Sequence, residues 1–236
     1  MTLVSADTLS FAELAQLFTR GYEGYYLPLS VDEQALRFMV DAWDIDLARS
    51  RVAPGEGVCN LGVRGDRGWI GGLGVVPKAR RRGLGRRLLE AVLEVAPATV
   101  TLEVLEQNEP AIRLYESLGF EQVRVLEVWS LPAQEAVEAR SVEPAPLGQR
   151  DLPWQREDGS LPAGYERIEV DGGAMLLRGS TVLQLEALDE DAAAALLSRG
   201  SALHYVNVPA GDVAVGALRR LGGERTARQF ELRLRR

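Results

Sequence analysis

The chain has 236 residues, enough for one large domain or two small ones. Its formal net charge of −7 argues against nucleic acid as the main partner, because the basic residues form only a local cluster. The single cysteine, Cys59, excludes an intrachain disulfide and fits a reducing compartment. We find neither a leader pattern nor an apolar run of about 18 residues, so we expect a cytoplasmic protein with no membrane span.

The N-terminal segment predicts two helices joined by an aromatic loop. Ser10 and Glu13 have the spacing of a capping box, and an apolar stripe at helical spacing follows them. Ser30 and Glu33 repeat that spacing and predict a second helix. The stretch 21–28 between them is too rich in glycine, proline and tyrosine to continue the first helix.

Residues 47–131 predict a sheet with two helices. Residues 47–76 have the composition of strands and carry two glycine-rich turns, which indicates two hairpins. After them we expect a helix over 85–95, a strand over 99–105, a helix over 110–118 and a strand over 123–131. Gly119 is placed to close the third of these elements, as a glycine after a helix commonly does.

A change of composition then predicts a linker and a second folded part. Residues 132–153 contain four prolines and little periodicity. Beyond them we expect strands and helices in an order that repeats the first part, namely strands 165–170, 174–178 and 182–187, helix 189–199, strand 202–208, helix 212–221 and strand 226–235. Aligning Gly119 with Gly222 also pairs Leu118 with Leu221, which suggests an internal duplication.

The stretch 75–89 has the features of a phosphate-binding loop. A strand of low side-chain bulk precedes it, six cations lie between Lys78 and Arg87, and an amphipathic helix follows. Helix starts present free N–H groups and partial positive charge, and Gly83 and Gly85 would let the backbone approach a ligand. The spacing fits neither a P-loop nor a dinucleotide-binding turn. A solvated helix face and a nucleic-acid patch are the alternatives that the charges alone allow.

Two motifs resemble those of the GNAT (Gcn5-related) N-acetyltransferases. Arg80-x-x-Gly83-x-Gly85 resembles the acetyl-CoA loop of that family. The block from Asn108 to Phe120 resembles its Asn-x-x-Ala-x-x-Leu-Tyr-x-x-x-Gly-Phe segment. The resemblance implies an α/β (α+β) fold, a mixed, mainly antiparallel GNAT sheet with flanking helices.

The resemblance also implies residues for acetyl-CoA and no metal. The strand before the loop would hold the pantetheine arm through its backbone, with an N–H near Val75 as oxyanion donor, and the loop amides would hold the pyrophosphate. Asn108 would bond the arm, and Tyr115 would protonate the departing thiolate. The implied cofactor-binding residues are Leu73, Gly74, Val75, Val76, Arg80, Arg81, Arg82, Gly83, Leu84, Gly85, Arg86, Asn108 and Tyr115.

The acceptor side is less fully specified by the sequence. In the family the helix–loop–helix walls the acceptor site, which makes Tyr22, Tyr25 and Tyr26 candidates to contact substrate, or else residues that only pack the loop on the sheet. The strand 68–76 lacks the carboxylate that many relatives carry there. We therefore expect Glu103 on the next strand to act as general base through water, with Asp66 as second choice.

The second part resembles a degenerate GNAT copy. Where an arginine–glycine loop would be needed it has Leu188-Asp189-Glu190-Asp191, which would repel a pyrophosphate. We therefore expect a tandem arrangement with a GNAT domain over 1–132, a linker over 133–153 and a smaller GNAT-like α/β half over 154–236.

The resulting hypothesis is an acetyl-CoA-dependent N-acetyltransferase acting on a primary amine of a small molecule or a peptide. It has no nucleic-acid or membrane partner and is a monomer or homodimer. The principal alternative is a non-catalytic acyl-CoA-binding sensor, and a nucleic-acid-binding protein is the third.

Overall fold

The computed structural model describes residues 2–27, 29–149 and 151–236. Its α-carbon contacts divide the chain into two compact units. The first unit comprises the chain up to Glu103 together with Pro110–Glu121 and Leu232–Arg236, and the second comprises Val104–Glu109 and Gln122–Glu231. The units therefore do not follow the boundaries at 132 and 154 expected for the two sequence copies, and those boundaries stay a prediction.

The first unit contains a mixed sheet with helices packed on it. Its strands follow the order β1-β2-β3-β4-β5, in which β1 to β4 pair antiparallel and β4 pairs parallel with β5. The strands are β1 (Val4–Ser5), β2 (Arg51–Ala53), β3 (Gly57–Arg64), β4 (Arg67–Val75) and β5 (Thr99–Leu105); the helices are α1 (Phe11–Gly21), α2 (Glu33–Ala42), α3 (Leu84–Leu93) and α4 (Glu109–Glu116).

Local capping explains where the first helices begin. Ser10 accepts a hydrogen bond from the Glu13 N–H, and the Glu13 carboxylate accepts from the Ser10 N–H, so the predicted capping box is confirmed. The second predicted box is wrong, because the N-cap of α2 is Asp32 rather than Ser30. The Asp32 carboxylate accepts from the Ala35 N–H at 2.7 Å, so the helix begins two residues later than a Ser30 cap would place it.

The second unit repeats this plan. Its strand order is β12-β6-β11-β10-β9-β8-β7, with β10 parallel to β11 and the other recorded pairs antiparallel. The elements are β6 (Glu121–Leu131), β7 (Arg140–Val142), β8 (Glu166–Val170), β9 (Gly173–Arg178), β10 (Thr181–Ala187), α5 (Glu190–Leu197), β11 (Leu203–Pro209), α6 (Val213–Arg220) and β12 (Glu224–Arg235), the last four residues of which are grouped with the first unit. The expected mixed, mainly antiparallel α/β fold is therefore confirmed in both units.

The duplicated register is visible in the backbone. Gly119 follows α4 with φ +89°, and Gly222 follows α6 with φ +76°, a conformation that favours glycine. The core of the second unit is formed by apolar residues of α5, α6 and the strands beside them, including Met175, Leu196 and Leu218.

The segment expected as a linker is more ordered than its composition predicts. It contains β7, which pairs antiparallel with β8, and 3₁₀ turns follow at Trp154–Arg156 and Asp158–Ser160. Trp154 and Ser160 are both buried.

The described residues contain neither a membrane-spanning helix nor a cluster of metal ligands. None of the helices described combines the length with the apolar character that crossing a bilayer requires. Within that part of the chain, no group of three or more histidine, cysteine, aspartate or glutamate side chains is arranged to hold a metal ion.

Candidate active site

The loop before α3 has an exposed, uncapped helix start. It runs from a 3₁₀ turn at Pro77–Ala79 to Gly83, the N-cap of α3. Gly83 has φ +76° and no side chain, so no side-chain cap covers the first-turn N–H groups. A Cβ at Gly83 would meet no atom within 4 Å, so conformation rather than space favours glycine there. With exposed Arg81 and Arg82 beside it, this helix start suits an anionic ligand such as a diphosphate.

Arg86 points along α3 rather than back over the loop. Its guanidinium donates to Ser117 Oγ at 2.6 Å and lies 3.4 Å from the Glu90 carboxylate. Leu84 is buried, and a Cβ on Gly85 would come 3.8 Å from both Val75 and Leu114. These contacts within the protein fix the orientation of the helix start. We therefore expect Leu84, Gly85 and Arg86 to bind the cofactor through their backbone amides.

Arg80 fastens the loop to two other segments. Its Nε donates to the Val75 carbonyl at 2.8 Å, and its Nη2 donates to the carbonyls of Gly21 at 3.1 Å and Glu23 at 2.6 Å. The guanidinium therefore joins the end of β4 to the end of α1. The sequence could not indicate these acceptors, because backbone carbonyls carry no residue signature.

The strand β4 separates from β5 halfway along its length. It pairs with β3 from Arg67 to Val75, whereas its parallel pairing with β5 covers only Arg67–Trp69. A register shift opposite Asn60 and Leu61 leaves Gly71 as the extra residue of a bulge just after that pairing ends. The second half of β4 therefore has a backbone edge that is not paired with β5.

The alternation of hydrogen bonds indicates which groups lie on that edge. Val76 donates its N–H to the Glu56 carbonyl at 2.9 Å, which makes this a hydrogen-bonded pair. Neighbouring positions on an antiparallel strand alternate, so the N–H and C=O of Val75 and of Leu73 point away from β3. Two observations agree with this assignment: the Val75 carbonyl accepts from Arg80, and the Leu73 backbone hydrogen-bonds the Tyr22 phenol.

Three tyrosines follow α1 as a series of edge contacts. Tyr22 stacks on Phe18 at 4.9 Å between ring centroids, and it meets Tyr25 edge-on at 5.1 Å. Tyr25 meets Tyr26 edge-on at 5.4 Å, and Tyr26 is 50% exposed. Desolvation by burial, with a smaller contribution from Tyr25, raises the pKa of the Tyr22 phenol.

Glycines in β4 make room for this loop. A Cβ on Gly72 would lie 2.7 Å from the Phe18 ring, and a Cβ on Gly74 would lie 3.2 Å from the Tyr22 ring. The structure thus packs Tyr22 against the sheet and leaves Tyr26 facing solvent, with Tyr25 half-buried between them. The predicted acceptor contacts of all three remain a prediction.

Tyr115 on α4 belongs to the same group of phenols. It is buried, with its ring 5.9 Å from that of Phe120. Desolvation raises the pKa of its phenol well above 10, and Tyr22 and Tyr25 add to the effect by lying close enough to interact electrostatically. The structure therefore brings a predicted catalytic residue and two predicted acceptor residues into one region of the first unit.

Glu103 is oriented by a tryptophan that sequence reasoning missed. The Trp69 indole N–H donates to Glu103 Oε2 at 2.7 Å, and Trp69 itself is buried with its ring edge-on to Trp43 at 5.7 Å. The last pair of β4 and β5 is Trp69 with Thr101; Glu103 lies two residues beyond it on β5 and Val75 six residues beyond it on β4, a difference of four residues. At about 3.3 Å per residue this is roughly 13 Å along the strand from Val75.

The two remaining candidates differ in position. Asp66 is exposed in the turn before β4, which puts it at the far end of that strand from Val75, roughly 30 Å away at 3.3 Å per residue. Distance therefore favours Glu103 over Asp66 as a base. Asn108 belongs to the second unit, where its N–H donates to the Leu105 carbonyl at 2.8 Å just after β5. Its contact with a pantetheine arm stays a prediction.

Part of the chain is similar in sequence to known acetyltransferases. The model of the Acetyltransferase (GNAT) family matches residues 11–120. The [Ribosomal protein bS18]-alanine N-acetyltransferase of Escherichia coli is 44% identical over 57 residues, which is 22% of this chain and 38% of that protein. The curated relatives that it matches are covered over only 14% to 45% of their own lengths.

Solved structures cover the whole chain. A GCN5-related N-acetyltransferase from Sphaerobacter thermophilus has a TM-score of 0.69 at 19% identity, covering 99% of this chain and 95% of that one. A tandem GNAT protein from the clavulanic acid biosynthesis pathway has a TM-score of 0.62 at 14% identity, covering 99% and 98%. At these identities the likeness establishes the fold. Residues 11–120 therefore match the GNAT acetyltransferase family, and the chain shares its fold with these solved structures.

Proposed function

We propose that the protein is an acetyl-CoA-dependent N-acetyltransferase that moves an acetyl group to a primary amine of a peptide or a small molecule. One observation carries the proposal: β4 leaves β5 after Trp69 and runs into an uncapped helix start. An open backbone edge followed by free helix amides can hold a long amide-containing arm and its diphosphate together. The match to the GNAT family supports this assignment.

The residues present fit acetyl-CoA. The amides from Arg81 to Arg86 would hold the diphosphate, where Gly83 leaves the helix start without a side-chain cap. On this edge the Val75 carbonyl is already bonded by Arg80, so the Leu73 carbonyl would accept from an amide of the pantetheine arm as a neighbouring strand does. Asn108 would add a side-chain hydrogen bond to the arm.

Acetyl-CoA supplies an acyl group activated as a thioester. In the proposed reaction a C–N bond forms to the acetyl carbon and the C–S bond breaks, with CoA as the product. The Val75 N–H would donate to the carbonyl oxygen, where negative charge develops. A fixed donor in a partly dehydrated site stabilises that charge without reorganising.

The attacking amine must be neutral, although amines of the lysine type are mostly protonated at pH 7. Glu103 would accept the proton, with its orientation fixed by the Trp69 indole. Because it lies roughly 13 Å along the sheet from Val75, the proton would travel through water rather than directly.

Tyr115 would donate its phenol proton in a hydrogen bond to the departing sulfur. Burial keeps its pKa well above 10, so the phenol carries its proton throughout the neutral range. An ordinary thiol has a pKa near 8.5, which is lower than that of this phenol. Tyr115 would therefore first donate a hydrogen bond to the departing thiolate and keep its proton. Complete proton transfer would require a thiolate as desolvated as the phenol itself.

The aromatic loop after α1 would border the acceptor. Tyr26 is half exposed there, and the family match begins at α1 and includes this loop. The E. coli relative is named for alanine on a ribosomal protein, which makes a peptide amine the first class to test. We expect the protein to act in the cytoplasm.

The test is release of free CoA thiol in the presence of N-terminal peptides and small amines. We expect at least one amine class to raise the rate more than tenfold over hydrolysis. Tyr115→Phe should lower kcat about 10- to 100-fold with a less than threefold change in acetyl-CoA affinity. Tyr165→Phe, a half-buried position in the second unit, is the matched control and should leave both unchanged.

Two outcomes would contradict the proposal. Tight acetyl-CoA binding with no thiol release from any amine would identify a sensor. Absence of acetyl-CoA binding together with steeply salt-dependent nucleic-acid binding would indicate that the loop has another use.

A further inference from the structure

The second unit has the same strand separation as the first. Its parallel strands β10 and β11 pair only at Thr181–His204 and Val182–Tyr205, although β10 continues to Ala187 and β11 to Pro209. A register shift against β9 leaves Leu183 as the extra residue of a bulge where this pairing ends. In the first unit the bulge at Gly71 likewise follows the last pair of β4 and β5.

In the second unit, however, another segment of the chain hydrogen-bonds the separated strands. The buried amide of Gln184 donates to the Arg156 carbonyl at 2.7 Å and to Asp158 Oδ1 at 2.8 Å, and it accepts from the Leu147 N–H at 3.3 Å. The side chain of Gln149 donates to the Leu185 carbonyl at 2.9 Å. Residues on both sides of the 3₁₀ turn at Trp154–Arg156 are therefore fixed to β10.

Arg156 connects the two separated strands to each other. Its Nε donates to the Leu183 carbonyl of β10 at 3.3 Å, and its Nη1 donates to the Asn207 carbonyl of β11 at 3.1 Å. Its Nη2 bonds the Tyr205 hydroxyl, and the guanidinium lies 4.6 Å from the centroid of that ring. Arg156 is 4% exposed, so these contacts are made away from water. Asn207, also buried, donates to Gln155 Oε1 at 2.8 Å.

The helix start in this unit is also satisfied internally. The helix between the separated strands is α5, the counterpart of α3 by position in the fold. Its N-cap is Asp189, whose carboxylate accepts from the Ala192 N–H at 2.9 Å. A carboxylate thus accepts from a first-turn N–H of α5. The N-cap residue of α3 is Gly83, which has no side chain to make the equivalent bond.

We infer that the gap between β10 and β11 is an intramolecular peptide-binding site, and that its ligand is the chain's own segment 147–149 and 151–160. This segment takes the place that a pantetheine arm would take in the first unit, and the Asp189 carboxylate takes the place of the diphosphate. The chain consequently has one acetyl-CoA site rather than two. The comparison with a pantetheine arm rests on the proposed function, whereas the internal docking of the segment does not.

Hydrogen exchange of the full chain without cofactor tests the docking. We expect the amides of Arg156 and Ser160, which donate to Pro153 and Glu157, to exchange as slowly as those of β10. Gln184→Glu removes both amide donors and places a carboxylate beside Asp158. It should speed exchange across 152–161 at least tenfold while leaving β8 and β9 unchanged.

A control and a milder variant keep this test decisive. Gln122→Glu makes the same chemical change at an exposed position of β6 and should change nothing. If Gln184→Glu loosens the whole unit, Gln149→Ala, which removes one bond from a half-buried side chain, should still speed exchange in the segment alone. Exchange of the native segment at the rate of an unprotected peptide would overturn the docking.

Titration calorimetry with acetyl-CoA tests the consequence. We expect one molecule bound per chain and no change in exchange over 152–161 at saturation. Two bound molecules, or loss of protection in the segment on adding acetyl-CoA, would overturn the inference. Absence of any binding would refute the proposed function instead, and the exchange data without cofactor would still decide whether the segment is docked.

Discussion

Replacing Arg80 with glutamine tests whether this side chain stabilises the protein through its hydrogen bonds to backbone carbonyls or binds the phosphates of acetyl-CoA. Arg80 donates to three carbonyls, those of Val75, Gly21 and Glu23, at 2.6 to 3.1 Å. Hydrogen bonds from a charged donor contribute about 1.5–3 kcal/mol each when buried. Two of these bonds are part-buried, the bond to Glu23 is exposed, and all three share one side chain, so we expect a total loss of about 2–3 kcal/mol rather than their sum.

The expected shift can be measured by thermal unfolding. At about 2–4 °C per kcal/mol for a chain of this size, Arg80→Gln should lower Tm by about 4–12 °C. Hydrogen exchange should rise at the end of α1 and just after it, because the Gly21 and Glu23 carbonyls lie there. Acetyl-CoA affinity should fall less than threefold.

Arg82→Gln is the matched control, since it removes the same charge from an exposed position of the same loop. It should change stability by less than about 0.5 kcal/mol and make acetyl-CoA binding weaker in a salt-dependent way. The reasoning fails if Arg80→Gln leaves Tm unchanged while it weakens acetyl-CoA binding more than Arg82→Gln does.

Three further predictions concern the core of the site and the buried phenols. Gly72→Ala would bring a Cβ to 2.7 Å from an aromatic ring, so it should cost about 1–3 kcal/mol in urea unfolding, whereas Gly211→Ala, with no atom within 4 Å, should not. Trp69→Phe removes the indole N–H that donates to Glu103, so it should lower the free energy of unfolding by about 1–3 kcal/mol and alter the pH dependence of kcat. An unchanged pH profile would exclude Glu103 from the proposed proton path. Burial raises the pKa of Tyr115 and Tyr205 above that of an unfolded phenol, so the folded state holds protons that the unfolded state releases above about pH 10. Stability should therefore be unaffected by these groups below pH 9 and fall by up to about 1.4 kcal/mol per pH unit for each of them above pH 10, and a flat urea midpoint from pH 9 to 11 would contradict this.

The elements themselves could be predicted because their signals are local. The strand 99–105 has the predicted bounds, and Gly119 closes α4 with the expected positive φ. The start of α2 shows the limit of such signals. Ser30 and Glu33 have the spacing of a capping box, but the Asp32 carboxylate caps the helix through the Ala35 N–H, so Glu33 is the first residue of the helix rather than its third.

The site was only partly predictable, because the missing parts depend on nonlocal contacts. The glycines and arginines of the loop predict that an anionic ligand binds at a helix N-terminus. In the structure that N-terminus begins at Gly83 and has no side-chain cap. Two of the three carbonyl partners of Arg80, those of Gly21 and Glu23, lie far from it in sequence. The indole partner of Glu103 is likewise distant in sequence. The hydrogen bonds of Arg156 to β10 and β11 were equally hidden, since their carbonyl acceptors lie far from Arg156 in sequence.

The composition of the first unit has a consequence for how the protein is made. Leu232–Arg236 belong to that unit although about a hundred residues separate them from the rest of it. Arg236 donates its backbone N–H to the Ala98 carbonyl at 2.9 Å, and a Cβ on Gly119 would lie 3.3 Å from Leu234. During translation the first unit therefore cannot acquire its full set of contacts until the ribosome has passed through the second. Expression of residues 1–132 alone would yield a first unit that lacks Leu232–Arg236.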